Sequence, residues 1–267
     1  MKEFHLSAQE ILYLCAMRGV KEVAGVDDVF LSVPEESLAA IVSRTKDSLV
    51  EKGCLEMDFD GNFACAKETD ELIDLITQST KRIAYFGLDD GIARFGTFYA
   101  AHDAVCLSER RGDLYVFRPI AAADIPAYFA SFFRDDQTRA EQDRSVTVST
   151  KVLDAAKKLF ENNRKAEAEK TLREGGVDEL TAALLLASYG GRALYLSVKT
   201  DSLDPDDVFS DGLIYISDGK TAVNVGFDLF SEDDAVIISL TDAKTEKNRF
   251  LSLLDRLSFI PVEGEEA

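Results

Sequence analysis

The run RALYLSVKT (192–200), DGLIYISDG (211–219), TAVNVGFDL (221–229), DAVIISLTDA (234–243) and KTEKNRFLSLLDRL (244–257) decides the fold. The first four segments are rich in Val, Ile, Tyr and Leu and are separated by Asp and Gly, as strands of an antiparallel meander are. The fifth spaces its apolar residues at a helical period. An earlier stretch repeats the order: RIAYFGL (82–88), ARFGTFYAAH (93–102), AVCLSERR (104–111), DLYVFRPI (113–120), then the helix AADIPAYFASFF (122–133). A helix precedes each copy, over 69–79 and 178–189. The repeat lies in the order of elements rather than in residue identities.

The fold class is therefore α+β, with two pseudo-two-fold duplicated halves, each helix, antiparallel meander, helix, around a central antiparallel sheet. The halves are expected at 1–135 and 145–267 and to form one compact pseudo-symmetric domain. The polar run RDDQTRAEQDR (134–144) is the expected linker.

Composition narrows the function. The chain has 267 residues, 49 of them acidic and 30 basic, for a formal net charge of -19. Nucleic-acid binding requires a cationic face, so this balance argues against it, and against anionic membrane surfaces. No run reaches transmembrane length, and MKEFHLSAQEILYLCAMRG (1–19) lacks the continuous apolar core of a signal peptide. Cys15, Cys54, Cys65 and Cys106 have no metal-type spacing and sit among apolar neighbours, which predicts reduced core thiols in a cytoplasmic protein, with a Cys54–Cys65 disulfide across a hairpin as the alternative.

The N-terminal third supplies extra elements. Ser7-Ala-Gln-Glu10 fits a capping box opening a helix whose apolar face includes Leu6, Ile11, Leu14 and Cys15. Pro34 begins a second helix, with Leu38, Ile41, Val42, Leu49 and Val50 as its buried stripe. CLEMDFDGNFACA (54–66) alternates about an Asp60-Gly61 turn and reads as a hairpin, completing a winged-helix-like arrangement. Thr69 is the expected cap of the third helix. Thr147–Asn162 is expected to be an amphipathic helix, and LTAALLLASYG (180–190) the most buried one.

No catalytic motif emerges. Asp58-Phe59-Asp60-Gly61 resembles the start of a Mg²⁺-dependent haloacid-dehalogenase-type phosphotransferase site, with Asp58 as nucleophile and Asp60 as acid/base. That chemistry requires a buried parallel strand, whereas these residues read as a hairpin turn. His102 and Asp103 offer a general-base pair without a nucleophile. Gly87 to Gly91 reads as a turn rather than a phosphate cradle. A winged-helix regulator would need a cationic second helix, and here Glu35, Glu36, Asp47 and Glu51 oppose Arg44, Lys46 and Lys52. No catalytic, cofactor-binding or metal-ligating residue is assigned. The acidic segment DSLDPDDVFSD (201–211) reads as the longest loop in either meander. Its Asp204, Asp206, Asp207, Val208 and Phe209 are the expected partner-binding residues, because apolar side chains at an acidic tip can anchor a partner.

The whole pattern resembles the EspG family of type VII (ESX) secretion chaperones. The resemblance rests on LSAQEILYLCAMRG (6–19), on SLAAIVSRTKDSLVEKGCLEMDFDGNF (37–63), where Leu49-Val50-Glu51-Lys52-Gly53-Cys54-Leu55 is similar to the family's helix end, and on the repeated helix–meander–helix order. It implies a non-enzymatic cytoplasmic chaperone or adaptor without cofactor. It also implies a helical secreted partner of the WXG100-like, LXG-like or PE/PPE-like kind, kept soluble until export, and no nucleic-acid or membrane insertion. The family grips its substrate with a long loop in the first meander. Here that turn, 101–103, is tight and the long acidic segment is in the second copy.

Overall fold

The computed structural model describes residues 2–21, 23–31, 33–101, 104–133, 145–204, 207–227 and 234–257. The first half opens with strand β1 (Phe4–Ser7), which runs directly into helix α1 (Ala8–Met17), followed by α2 (Glu35–Glu51). A hairpin, β2 (Leu55–Met57) and β3 (Phe63–Cys65), precedes α3 (Lys67–Thr77). The first meander is β4 (Lys81–Asp89), β5 (Ile92–Ala101), β6 (Ala104–Arg111) and β7 (Leu114–Pro119). The short helix α4 (Ile125–Phe129) follows, with a 3-10 turn on each side. The second half repeats the plan: β8 (Ser145–Ser149), α5 (Thr150–Glu161), α6 (Lys165–Glu174), α7 (Glu179–Tyr189), the meander β9 (Leu194–Asp204), β10 (Asp207–Ser217), β11 (Ala222–Phe227) and β12 (Ala235–Thr241), then α8 (Ala243–Arg256). Each half is thus strand, three helices, four strands, helix, with the β2–β3 hairpin inserted in the first only.

The strands follow the order β1-β7-β6-β5-β4-β9-β10-β11-β12-β8, and β2–β3 forms a separate two-stranded sheet. The strands pair antiparallel where their register is described, for example Tyr99 opposite Cys106 and Val225 opposite Ile238. The meander strands lie within a few residues of their expected places. Three expectations change. Leu6 belongs to β1 rather than to the first helix, and 145–149 form β8 rather than the start of a helix. In both places a strand feeds straight into a helix through a serine cap. Ser7 accepts from the Glu10 amide and Ser149 from the Lys151 amide. The cap signal conceals the strand before it. The turn of the first hairpin is Asp90-Gly91, not 87–91. Both residues have positive φ, 52° and 75°, as the two-residue turn matching strand twist requires.

The chain forms two compact units. The first comprises Met1–Ala84, Phe95–Ala122 and Asp201–Phe209, and the second Tyr85–Arg94, Ala123–Thr200 and Ser210–Ala267. In the first unit, Ile11, Leu14 and Cys15 of α1 and Leu72, Ile73 and Ile76 of α3 pack on Tyr99, Cys106, Tyr115 and Phe117 of the sheet. Burying these side chains removes large apolar surfaces from water at about 25 cal/mol per Å². The Tyr99 hydroxyl donates to the Ala24 carbonyl, and the Tyr115 hydroxyl accepts from the Asp27 amide at 3.1 Å, so the loop after α1 is pinned to the sheet.

Helix α2 departs from expectation. Only Thr45 and Leu49 are buried, while Leu38 and Val50 are exposed. Pro34 is its N-cap rather than its first-turn residue. Similarly, α3 starts two residues ahead of Thr69, with Ala66 at the cap. In the second unit, α7 is buried on most sides as expected, with Ala182, Leu184, Leu185 and Leu186 against Val148, Ile216, Val223 and Val236. The same unit holds an aromatic cluster, in which Phe129 meets Phe250 at 4.6 Å between centroids and Tyr85 at 5.2 Å. The linker 134–144, the His102–Asp103 pair and the tail after Pro261 lie outside the described residues.

Candidate partner-binding surface

The acidic segment 201–211 is not a loop. β9 continues to Asp204 and β10 starts at Asp207, so the segment is the far end of a hairpin. Alternation explains it. Thr200 and Ser202 are buried, at 0% and 1% exposure, while Asp201 and Leu203 lie on the opposite side. The inward positions carry small hydroxyl residues instead of Val or Ile, so composition suggests a loop where the period is that of a strand. Thr200 Oγ1 donates to the Asp211 carbonyl at 3.2 Å. The Leu203 amide donates to the Thr80 carbonyl at 2.7 Å, which ties the hairpin end to the start of β4 within the first unit.

Counting back from the strand ends Asp204 and Asp207 places Leu203 opposite Val208. Both are exposed, at 51% and 69%. They are two exposed apolar side chains in a segment rich in acidic residues. Of the five expected partner-binding residues, Asp204 and Asp207 close the two strands, Phe209 lies in β10, and Asp206 lies outside the described residues. Val208 is the one whose side chain is described. Leu203 was missed. Its signal was the period-two pattern of Thr200, Ser202 and the residues between them.

Another exposed apolar tip is the β2–β3 hairpin, where Met57 is 65% exposed and Phe59 wholly so. Asp58 Oδ1 accepts from the amides of Asp60 at 2.9 Å and Asn62 at 2.8 Å. These bonds, led by that of Asn62, hold its carboxyl below the ordinary carboxylate range. Asp58 therefore closes an antiparallel turn, and β2 pairs antiparallel with β3. The phosphotransferase alternative fails on this point, since its nucleophile must end a parallel strand. The helix–helix–hairpin arrangement is present, and its tip carries Asp58 and Asp60, the wrong charge for a DNA-reading wing.

Among the described residues, two carboxylates are buried, Glu10 and Glu246. Glu10 accepts from the Ser7 amide at 2.7 Å, Ser48 Oγ at 2.8 Å and Lys52 Nζ at 2.7 Å. Burial alone would raise its pKa, but these partners, Lys52 foremost, hold it below the usual range. Glu246 accepts from Thr241 Oγ1 at 2.9 Å and Asn224 Nδ2 at 3.0 Å. Burial wins there and pushes its carboxyl up. Arg249, which donates to Asn224 Oδ1 at 2.9 Å, lines a cleft of about 490 Å³ with Val198, Leu213, Ile214 and Val225. The four thiols are free, and burial pushes Cys15 and Cys106 up to about 12, so both stay protonated at neutral pH. Among the described residues no group of three or more His, Cys, Asp or Glu is placed to hold a metal, and no helix is long and apolar enough to cross a membrane.

No family model matches the chain, and no curated protein matches it in sequence. Solved structures do. The Mycobacterium tuberculosis type VII secretion system chaperone EspG5, determined in complex with the PE25–PPE41 dimer, aligns with 96% of this chain and 96% of its own, at a TM-score of 0.56 and 14% sequence identity. The fold is that of EspG5. The EspG fold accounts for the helix and antiparallel-sheet content and for a match running through both halves. At this identity the likeness lies in backbone arrangement, so surface residues must be judged on their own exposure and chemistry.

Proposed function

We propose that this protein is a non-enzymatic chaperone of a type VII-like secretion system, which holds a helical export substrate in the cytoplasm until it is secreted. The observation that carries the reading is the fold match to EspG5 over 96% of both chains, whose structure was determined in complex with a PE25–PPE41 dimer. The acidic balance supports it, because a carrier of an apolar partner must itself remain dispersed.

The tip formed by Leu203 and Val208, together with Asp204, Asp206, Asp207 and Phe209, is the proposed contact surface. Two exposed apolar side chains suit the ridge of a helical hairpin, and the surrounding carboxylates suit basic residues at its margin. The test is co-purification of the full chain from its own cells, with bound proteins identified by mass spectrometry. A small helical export substrate in near-equal amount supports the reading. Recovery of the chain alone from cells shown to express such substrates overturns it.

A further inference from the structure

The strand order ends on β8, and β8 reads the same in both directions: Ser145-Val146-Thr147-Val148-Ser149. Its inner side is paired with β12, Val148 against Val236 and Val146 against Ile238. The Thr150 amide donates to the Asp234 carbonyl at 2.8 Å in the same register. Bonded and non-bonded pairs alternate along an antiparallel ladder. Val146 and Val148 therefore turn their N–H and C=O groups toward β12, while Ser145, Thr147 and Ser149 turn theirs outward. Thr147 is exposed, and no described residue bonds its outward groups.

The other end of the sheet is treated differently. On β1, Lys52 Nζ donates to the His5 carbonyl at 3.0 Å, so a lysine blocks that edge. Edge strands are commonly guarded by a charge or a proline, and β8 has neither.

We infer that the β8 edge is a self-association surface, on which two copies of this chain pair β8 with β8 antiparallel about a two-fold axis at Thr147. A two-fold interface requires a patch complementary to itself. The palindrome supplies it: Thr147 meets Thr147 of the second copy, Val146 meets Val148, and Ser145 meets Ser149. The Ser149 carbonyl is already taken by the first turn of α5, for which Ser149 is the N-cap, so the remaining outward groups make about four main-chain hydrogen bonds, by the antiparallel pairing rule. The two-fold also keeps faces matched. Val148, fully buried, stays on the core side in both copies, and Thr147 stays on the exposed side, where Thr–Thr pairs are favourable. A foreign extended peptide would need the open edge but not the palindrome. The net charge of -19 opposes association and is screened by salt. The inference stands on β8 alone and does not depend on the chaperone reading.

Sedimentation of the full chain from about 10 μM to about 1 mM, a range fitting a weak dimer, tests it at low and high salt. A reversible dimer that strengthens with salt is expected. Thr147→Pro removes the outward N–H at an edge position that tolerates proline, and Thr147→Lys places two cations opposite one another. Each should weaken the dimer about tenfold or more with the melting temperature unchanged. Should Thr147→Pro not fold, Thr147→Lys, at an exposed position, carries the test. A monomer across the whole range, or a dimer that both variants leave intact, overturns the inference.

Discussion

The ring of Phe132 fills the place a side chain at Gly87 would occupy. A Cβ added at Gly87 would fall 2.6 Å from Phe132 Cζ and closer still to Cε1. Phe132 is 2% exposed and belongs to the aromatic cluster around Tyr85 and Phe129. Gly87→Ala should therefore destabilise the protein by about 1–3 kcal/mol, the usual cost of overpacking. Urea denaturation measures it. The double variant Gly87→Ala/Phe132→Leu should cost less than the sum of the single changes. Full additivity would show that the two residues do not compete for space.

Lys52 serves two acceptors, the buried Glu10 carboxylate and the edge carbonyl of His5. Lys52→Met should cost about 1–3 kcal/mol, below the range for a fully buried pair because Lys52 is 36% exposed. The folded-state pKa of Glu10 is depressed, so its stabilisation is present above the unfolded carboxylate range and fades as pH falls through the folded value. Removing Lys52 should flatten that acid limb. Stability measured from pH 7 down to acid in both proteins decides it, and parallel curves would rule the pairing out as its source.

Glu246 has the opposite sign. Its folded-state pKa is raised, so folding takes up a proton, and its contribution is greatest below the unfolded carboxylate range and is lost as pH rises through the folded value. Glu246→Gln removes the charge. The variant should gain on the wild type as pH rises from acid to neutral, a trend read from melting temperatures. Glu246→Ala should instead lose about 1–3 kcal/mol, since Asn224 Nδ2 and Thr241 Oγ1 lose a buried acceptor. A gap between Glu246→Gln and wild type that is constant with pH would contradict the raised pKa.

Leu203→Asp and Val208→Asp should leave stability within about 0.5 kcal/mol, as exposed substitutions do. Either should weaken capture of a helical substrate by about tenfold or more if the tip is an anchor. Titration calorimetry with the co-purified partner reads this directly. Full-strength binding by both variants would move the contact surface elsewhere while leaving the chaperone reading untouched.

The meanders were legible because their strands combine Tyr, Phe, Val and Ile with turns that punctuate them, such as Asp90-Gly91. What escaped was hidden by local chemistry. β1 and β8 end on serines that cap the next helix, so helix signals overrode four or five residues of strand. At the tip, Thr200 and Ser202 fill inward positions that apolar residues normally take, and the acids beside them imply a loop. The α2 stripe had the right period, yet Leu38 and Val50 stay exposed, because periodicity shows which residues share a face and not whether anything covers it. The exposure of Val208 was legible in the acidic segment, and that of Leu203 became visible only once β9 was seen to continue to Asp204.

The first compact unit takes its last piece, Asp201–Phe209, from far along the chain, and Leu203 closes on Thr80 across that distance. During synthesis, roughly 80 residues must be added after Ala122 before that piece exists, several seconds at about 5–20 residues per second. Throughout that interval the nascent chain lacks the strand that covers the start of β4. The first unit can therefore be completed only after residues 123–200 of the second have been synthesised, and the growing chain is more exposed to misassembly than the folded one.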